Sequence, residues 1–134
     1  NLEELLQTNF QENNISFTLW CSPEPMMTEG DEKQLSQVFL NLLKNAMQAL
    51  EGHPHGELSL QAEQDEYIVI DITDNGPGIP PEIMDKVFIP FFTTKSEGTG
   101  IGLSLCKEII RRHEGHLAIK ESRAGKTVFH IELP

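Results

Sequence analysis

The chain of 134 residues has few cysteines and few basic side chains, and each shortage argues against some classes of function. Its two cysteines, Cys21 and Cys106, lack the spacing of metal ligands, so we expect reduced thiols in a cytoplasmic protein. Only 10 Lys and Arg stand against 21 Asp and Glu, a formal net charge of −11 at pH 7. This excess argues against nucleic acid and anionic membrane as main partners, because both are bound through clustered cations.

Long hydrophobic runs are also lacking. No apolar segment approaches the roughly 20 residues of a membrane-spanning helix, and no secretory leader is recognisable at the start. Apolar residues make up 38% and charged residues 23%, which is a composition typical of globular proteins. We therefore expect a single soluble domain over 1–134 without direct membrane contact, cut from a parent protein that could itself be membrane-anchored.

The spacing of apolar residues predicts the secondary structure. Helical spacing predicts a short amphipathic helix over about 2–12, a long helix over 31–50, a short helix over 82–87 and a helix from 103 that ends near Gly115. Alternation predicts strands at 15–19, 57–62, 67–73, 117–119 and 127–133. This order predicts an α/β two-layer sandwich, with helices on one face of a mixed sheet.

The stretch Asp74-Asn75-Gly76-Pro77-Gly78-Ile79 follows directly on a predicted strand. Because side chains alternate along a strand, Asp74 should share the core face with Ile70 and Ile72. A buried acid needs a partner, and a ligand that donates hydrogen bonds is one candidate. An ordinary turn is the alternative, since Asp and Gly crowd turns for backbone reasons.

The long predicted helix carries neutral amides beside its buried stripe. Asn41 and Asn45 lie one turn apart, and their carbonyl oxygens could point at a hard cation or at its water molecules. A solvated face that happens to be rich in amides is the alternative.

A glycine-rich run, Gly98-Thr99-Gly100-Ile101-Gly102-Leu103, opens the helix that follows it. Glycines allow a backbone to approach an anion, and the first free amides of a helix point at it. The run therefore suits a phosphate, although glycines also serve hinges.

Four stretches together resemble the N, G1, F and G2 boxes of the histidine-kinase ATP-binding domain: FLNLLKNAMQAL (39–50), DNGPGI (74–79), FIPFFTTK (88–95) and GTGIGLSL (98–105). That domain belongs to a superfamily shared with type II topoisomerases, the large heat-shock chaperone and the MutL proteins. The resemblance covers roughly 31–134. It implies the Bergerat-type ATP-binding fold, with a mostly antiparallel sheet of about five strands, and ATP and Mg²⁺ as cofactors.

The resemblance also implies roles for matching residues. Asp74 would accept the exocyclic amine of adenine, Gly78 would leave room for the ring, and Thr127 would support the acid. Asn45 would ligate Mg²⁺, and Asn41 would assist it or contact phosphate.

Residues 88–95 would belong to a mobile ATP lid, in which Lys95 is a candidate phosphate contact and, with the two asparagines, a catalytic residue. Lys44 is either an electrostatic helper or a solvated lysine. The remaining members of the implied nucleotide site are Gly76, Ile79, Phe91, Phe92, Gly98, Thr99, Gly100, Ile101, Gly102 and Leu103.

One departure separates members of the superfamily. Hydrolysing relatives carry a glutamate as general base one turn before the magnesium asparagine, whereas this chain has Asn41, an amide that cannot take up a proton. The resemblance therefore implies transfer of the γ-phosphoryl group to an external nucleophile.

That nucleophile would be a histidine of a separate dimerisation domain, with a response regulator downstream, and residues 1–12 could lead in from that missing domain. None of the five histidines has the context of the acceptor motif. The isolated domain is expected to be monomeric. Alternatives are an ATPase of the chaperone, gyrase or MutL kind, an anti-sigma-type serine kinase, and a non-catalytic module that only binds nucleotide or a partner.

Overall fold

The computed structural model describes residues 15–22, 32–90, 92 and 102–134. The predicted helix over 2–12 lies outside these ranges. The described ranges contain two α-helices, five strands and a short 3₁₀ turn, in the order β1 (Ile15–Ser22), α1 (Glu32–Ala49), β2 (Gly56–Gln64), β3 (Ile68–Asp74), the 3₁₀ turn (Pro81–Ile83), α2 (Gly102–Arg112), β4 (His116–Arg123) and β5 (Lys126–Leu133).

The five strands form one mixed sheet in the order β1-β2-β3-β5-β4. Strands β1 and β2 are parallel, which the intervening helix α1 makes possible, and every other neighbouring pair is antiparallel. This arrangement confirms the predicted mixed, mostly antiparallel sheet.

The core lies between the sheet and the two helices. Val38 and Leu42 of α1 and Ile110 of α2 are fully buried, and they belong to one cluster with Ile72 of β3 and Ile131 of β5. Because the two central strands bury alternate side chains under the helices, β3 and β5 are fixed in register against α1 and α2. Within the described residues, no helix combines the length and apolarity needed to cross a membrane.

One predicted helix is wrong. In place of a helix over 82–87, the chain forms the single 3₁₀ turn Pro81–Ile83, followed by further tight turns such as Lys86 N–H to Ile83 O at 2.9 Å. None of the three residues of the 3₁₀ turn is buried. A short helix in water depends on packing for its stability, and the apolar residues Ile83, Met84 and Val87 of this segment are only half-buried.

The outer face of the sheet carries a charged cluster at its centre. Asp71 of β3 lies opposite His130 of β5, and the two side chains are hydrogen-bonded. Glu132 Oε1 lies 3.1 Å from the other ring nitrogen of His130, and Lys120 Nζ donates to Asp71 Oδ2 at 3.3 Å. Burial opposes protonation of His130, but the hydrogen bonds to Asp71 and Glu132 outweigh it and raise the histidine pKa.

We expect this cluster to make stability depend on pH. A histidine whose pKa is higher in the folded state binds its proton more tightly there, so its contribution is complete below the ordinary value of 6.5 and is lost as pH rises above it. Replacing His130 with Gln should therefore reduce the loss of unfolding free energy between about pH 6 and 8. Urea unfolding across this range measures the effect. His55→Gln, an exposed histidine before β2, is the control; equal slopes for the parent and His130→Gln would contradict the expectation.

Candidate functional site

Asp74 ends the central strand β3 and points into the molecule. Its side chain is 4% exposed, as the alternation of β3 predicts, and Thr127 of β5 lies opposite it at 5% exposure. The Gly76 N–H donates to Asp74 Oδ1 at 2.9 Å. Burial raises the pKa of Asp74, and the bond from Gly76 lowers it only in part. The carboxylate would therefore gain from a further hydrogen-bond donor.

The segment 74–79, called the Asp74 loop below, requires glycine at two positions. A Cβ at Gly76 would lie 2.9 Å from Asp74 Oδ1 and 3.1 Å from the Ala49 carbonyl oxygen. Gly78 has a φ of +84°, and a Cβ there would lie 2.5 Å from the Arg123 carbonyl oxygen. Backbone geometry thus explains these glycines, in agreement with the turn alternative. Turn chemistry does not require the acid itself to be buried.

Asn75 anchors the Asp74 loop to the start of β2, a role that the motif alone did not reveal. Its Oδ1 accepts the Glu57 N–H at 2.7 Å, and its Nδ2 donates to the His55 carbonyl at 2.9 Å. The backbone N–H of Asn75 also donates to Glu57 O at 3.1 Å. The signal in the sequence was an amide, which both donates and accepts, directly after the acid.

Helix α1 connects the Asp74 loop to the two candidate asparagines. Ala49, in the last turn of α1, is the helix residue closest to the space above Gly76. Asn45 lies four residues before Ala49, and Asn41 lies eight residues before it. The two amides are therefore about 6 and 12 Å from Ala49 along the helix axis, on the same side of the helix. Both side chains are half-buried. Helix spacing thus puts the two amides on the side of α1 whose last turn meets the Asp74 loop at Ala49.

Asn41 is also in contact with helix α2. Its side chain hydrogen-bonds to the thiol of Cys106, and that thiol donates to the Val38 carbonyl at 3.7 Å. Burial raises the pKa of Cys106 to about 11, against the hydrogen bond from Asn41, so the thiol is neutral at physiological pH. Cys106 lies one turn inside α2, which begins at Gly102. Asn41 therefore lies beside the first turns of α2.

The remaining predicted site residues are only partly described. Ile79 and Leu103 are half-buried and pack against the core. Phe92 is half-buried, and its N–H donates to Ile89 O at 3.2 Å. Lys44 is exposed. The other predicted lid and phosphate residues lie outside the described ranges, namely Phe91, Lys95, Gly98, Thr99, Gly100 and Ile101.

The described part of the predicted lid begins with Phe88, which is packed onto the core. Its ring meets Phe129 edge-on with centroids 6.4 Å apart, and Lys107 Nζ lies 4.4 Å from the centroid of Phe88. An aromatic ring held between the sheet and α2 fixes where the segment leaves the core.

Comparison with known proteins identifies the class and then the family. The chain superposes on the catalytic domain of histidine kinase ThkA with a TM-score of 0.88 and 32% sequence identity, covering 99% of this chain and 87% of that one. The family model for the histidine kinase-, DNA gyrase B-, and HSP90-like ATPase matches residues 30–134, so the chain belongs to this family.

Two further comparisons relate the chain to parts of longer kinases. Sporulation kinase C of Bacillus subtilis (strain 168) is 40% identical over 134 residues, an alignment that covers 97% of this chain and 30% of the relative. The chain thus spans less than a third of that curated relative. The structure of ThkA in complex with response regulator protein TrrA matches with a TM-score of 0.81 and 30% identity, covering 99% of this chain and 38% of that one.

We expect Gly78→Ala to destabilise the fold more than a positive φ alone would. The methyl group would add a collision with the Arg123 backbone to the strain of a left-handed conformation, a total of about 2–4 kcal/mol in unfolding free energy. Gly52→Ala is the matched control, because Gly52 has a φ of +79° and its Cβ would meet nothing within 4 Å. Urea denaturation compares the variants. Equal losses of unfolding free energy for the two variants would show that the Arg123 backbone moves aside without a measurable cost.

Proposed function

We propose that this domain binds MgATP and transfers the γ-phosphoryl group to a histidine of a separate dimerisation domain, from which a response regulator receives it. The observation that carries the proposal is the buried carboxylate of Asp74, whose loop meets the last turn of α1 at Ala49, one helical turn from Asn45 and two from Asn41. Membership of the ATPase family and likeness to a histidine-kinase catalytic domain support it.

The base end of the site fits adenine. An ionised carboxylate only accepts hydrogen bonds, and the exocyclic amine of adenine donates them, whereas guanine presents a carbonyl at that position. The raised pKa of Asp74 means that burial leaves the charged form poorly stabilised, so a donor from the ligand would add a charge-assisted bond. Gly76 and Gly78 keep the loop thin beside this acid, since neither position has room for a Cβ.

The other end fits a metal-bound phosphate. Amide oxygens are ligands that Mg²⁺ accepts, and the metal would neutralise charge on the phosphates. Asn45 would be its protein ligand. Asn41 would assist, since its amide N–H bonds to Cys106 and leaves the carbonyl oxygen as the group to face a cation or its water.

The chemistry of Asn41 favours transfer over hydrolysis. The side chain has no basic atom, and its neighbour Cys106 is a neutral thiol, so neither group can take a proton from water at physiological pH. The described residues therefore position a nucleotide without activating water beside it. An ATPase of the chaperone or gyrase kind would need a base at this place.

The partners and location belong to the same proposal. The complex of ThkA with response regulator protein TrrA supports a response regulator as partner of the parent protein. Curated relatives that are more than three times longer leave room for a dimerisation domain beside this one. We propose a cytoplasmic domain over 1–134 that is monomeric by itself.

We expect Asp74→Asn to separate binding from stability. It replaces an obligate acceptor by a group that also donates, which should weaken binding of a nonhydrolysable ATP analogue about 100-fold. Stability should not fall, because an acid with a raised pKa in the folded state loses stability as pH rises above its ordinary value of 3.8, and Asn removes that loss. Calorimetric titration and melting temperatures test both parts; unchanged affinity would refute the adenine assignment.

We expect Asn45→Ala to act only on the metal-bound phosphate end. Affinity for adenosine should stay within twofold, while the gain in ATP-analogue affinity on adding Mg²⁺ should fall about tenfold or more. Gln48→Ala, which removes an exposed amide from the same helix, is the control. The measurement is titration with and without Mg²⁺. An unchanged magnesium gain would remove Asn45 from the metal site.

A further inference from the structure

The end of β4 and the turn that follows it contact the Asp74 loop at three points. The Ile79 N–H donates to Ser122 Oγ at 2.7 Å, and the Gly125 N–H donates to Gly76 O at 2.9 Å. Gly78 lies against the backbone of Arg123, with no room for a side chain between them. The loop and the turn are separated by more than 40 residues in sequence, so these contacts are tertiary.

Ser122 belongs to the same row of the sheet as the buried acid. Asp74 of β3 pairs with Thr127 of β5, and Thr127 pairs with Ser122 of β4. Directly opposed side chains of neighbouring strands point to the same face. Ser122 therefore lies on the core face beside Thr127 and Asp74.

A β-bulge brings Ser122 to that face. Strand β4 pairs Ile119 with Phe129 and Glu121 with Val128, so Lys120 is an extra residue without a partner of its own in the ladder. Simple alternation from the buried Leu117 would have placed 119, 121 and 123 inside and Ser122 outside. One inserted residue reverses this parity and re-aims the following side chains.

We propose that Ser122 is a positioning residue of the nucleotide site. It acts through the Ile79 N–H and holds the later residues of the Asp74 loop in place beside the Asp74 carboxylate. This inference rests on the proposed function and adds a second layer behind the adenine contact. Without the hydroxyl, the Ile79 N–H loses its acceptor. A shift of the loop that gives this N–H another acceptor then becomes favourable. The half-buried side chain of Ile79, which packs on the core, would shift with it.

The test is to titrate the parent and its Ser122 variants with adenosine, ADP and a nonhydrolysable ATP analogue, with and without Mg²⁺. Ser122→Ala should weaken all three ligands by the same factor, about fivefold, because the contact acts at the base end that they share. The gain from Mg²⁺ should not change. Ser59→Ala, a serine of β2 on the outer face opposite Thr73, is the control.

A second pair of variants separates the hydroxyl from packing. Ser122→Thr keeps the hydroxyl. Ser122→Val has nearly the same volume as the Thr variant but carries a methyl group in place of the hydroxyl. Thr should bind adenosine within twofold of the parent, and Val should bind about fivefold more weakly. The Ile79 amide, followed by hydrogen exchange in the free protein, should lose protection in the Ala and Val variants alone.

Two results would overturn the inference. One is equal adenosine affinity for the Thr and Val variants, and the other is a loss of affinity confined to the triphosphate with Mg²⁺. If the parent protein bound neither adenosine nor ATP analogue, the proposed function would fail first. If the parent bound them and Ser122→Ala bound them equally well, only the role of Ser122 would fail.

Discussion

The physical constraint on which this structure depends is the burial of one carboxylate at the end of a central strand. Asp74 has lost nearly all its contact with water, and the pKa of the acid rises because the bond from Gly76 only partly replaces that water. Such a group destabilises a folded protein unless it is fully hydrogen-bonded or paired. Bonds from Asn75 to β2 and from Gly125 to Gly76 hold the loop around the acid. The fold thus keeps the acid in place although its burial costs stability, which agrees with the binding role proposed for it.

In the proposed site, helix α1 connects the acid to the two amides. Its last turn meets Gly76 through Ala49, and two turns earlier Asn41 meets Cys106 of α2. Because the helix rises about 1.5 Å per residue, residue spacing fixes the distances from Ala49 to the two amides. The fully buried stripe of α1, which includes Val38 and Leu42, fixes the position of the helix on the sheet. Core packing thus sets where the amides lie relative to the Asp74 loop.

The sequence predicted those features that follow from periodicity. Alternation along β3 was enough to place Asp74 on the core face, and helical spacing was enough to locate α1 and α2. Features that break periodicity were not predictable. Ser122 reaches the core face only because Lys120 is an extra residue in β4, and residues 120–123 contain no apolar side chain that would reveal the shift. The bonds of Asn75 join residues distant in sequence, which no local pattern encodes.

The glycines of the two motifs carry different weight in a functional argument. Gly76 and Gly78 touch neighbouring backbone or side-chain atoms so closely that folding alone requires them, with or without a ligand. A Cβ at Gly102 would meet no atom of the described residues within 4 Å, so packing against them does not account for glycine at the start of α2. Gly102 also lacks a positive φ, so neither the described packing nor the backbone conformation requires glycine there. In the proposed site, Asp74 therefore carries the evidence at the base end, and Gly102 is the described residue of the glycine-rich run whose side chain folding leaves open.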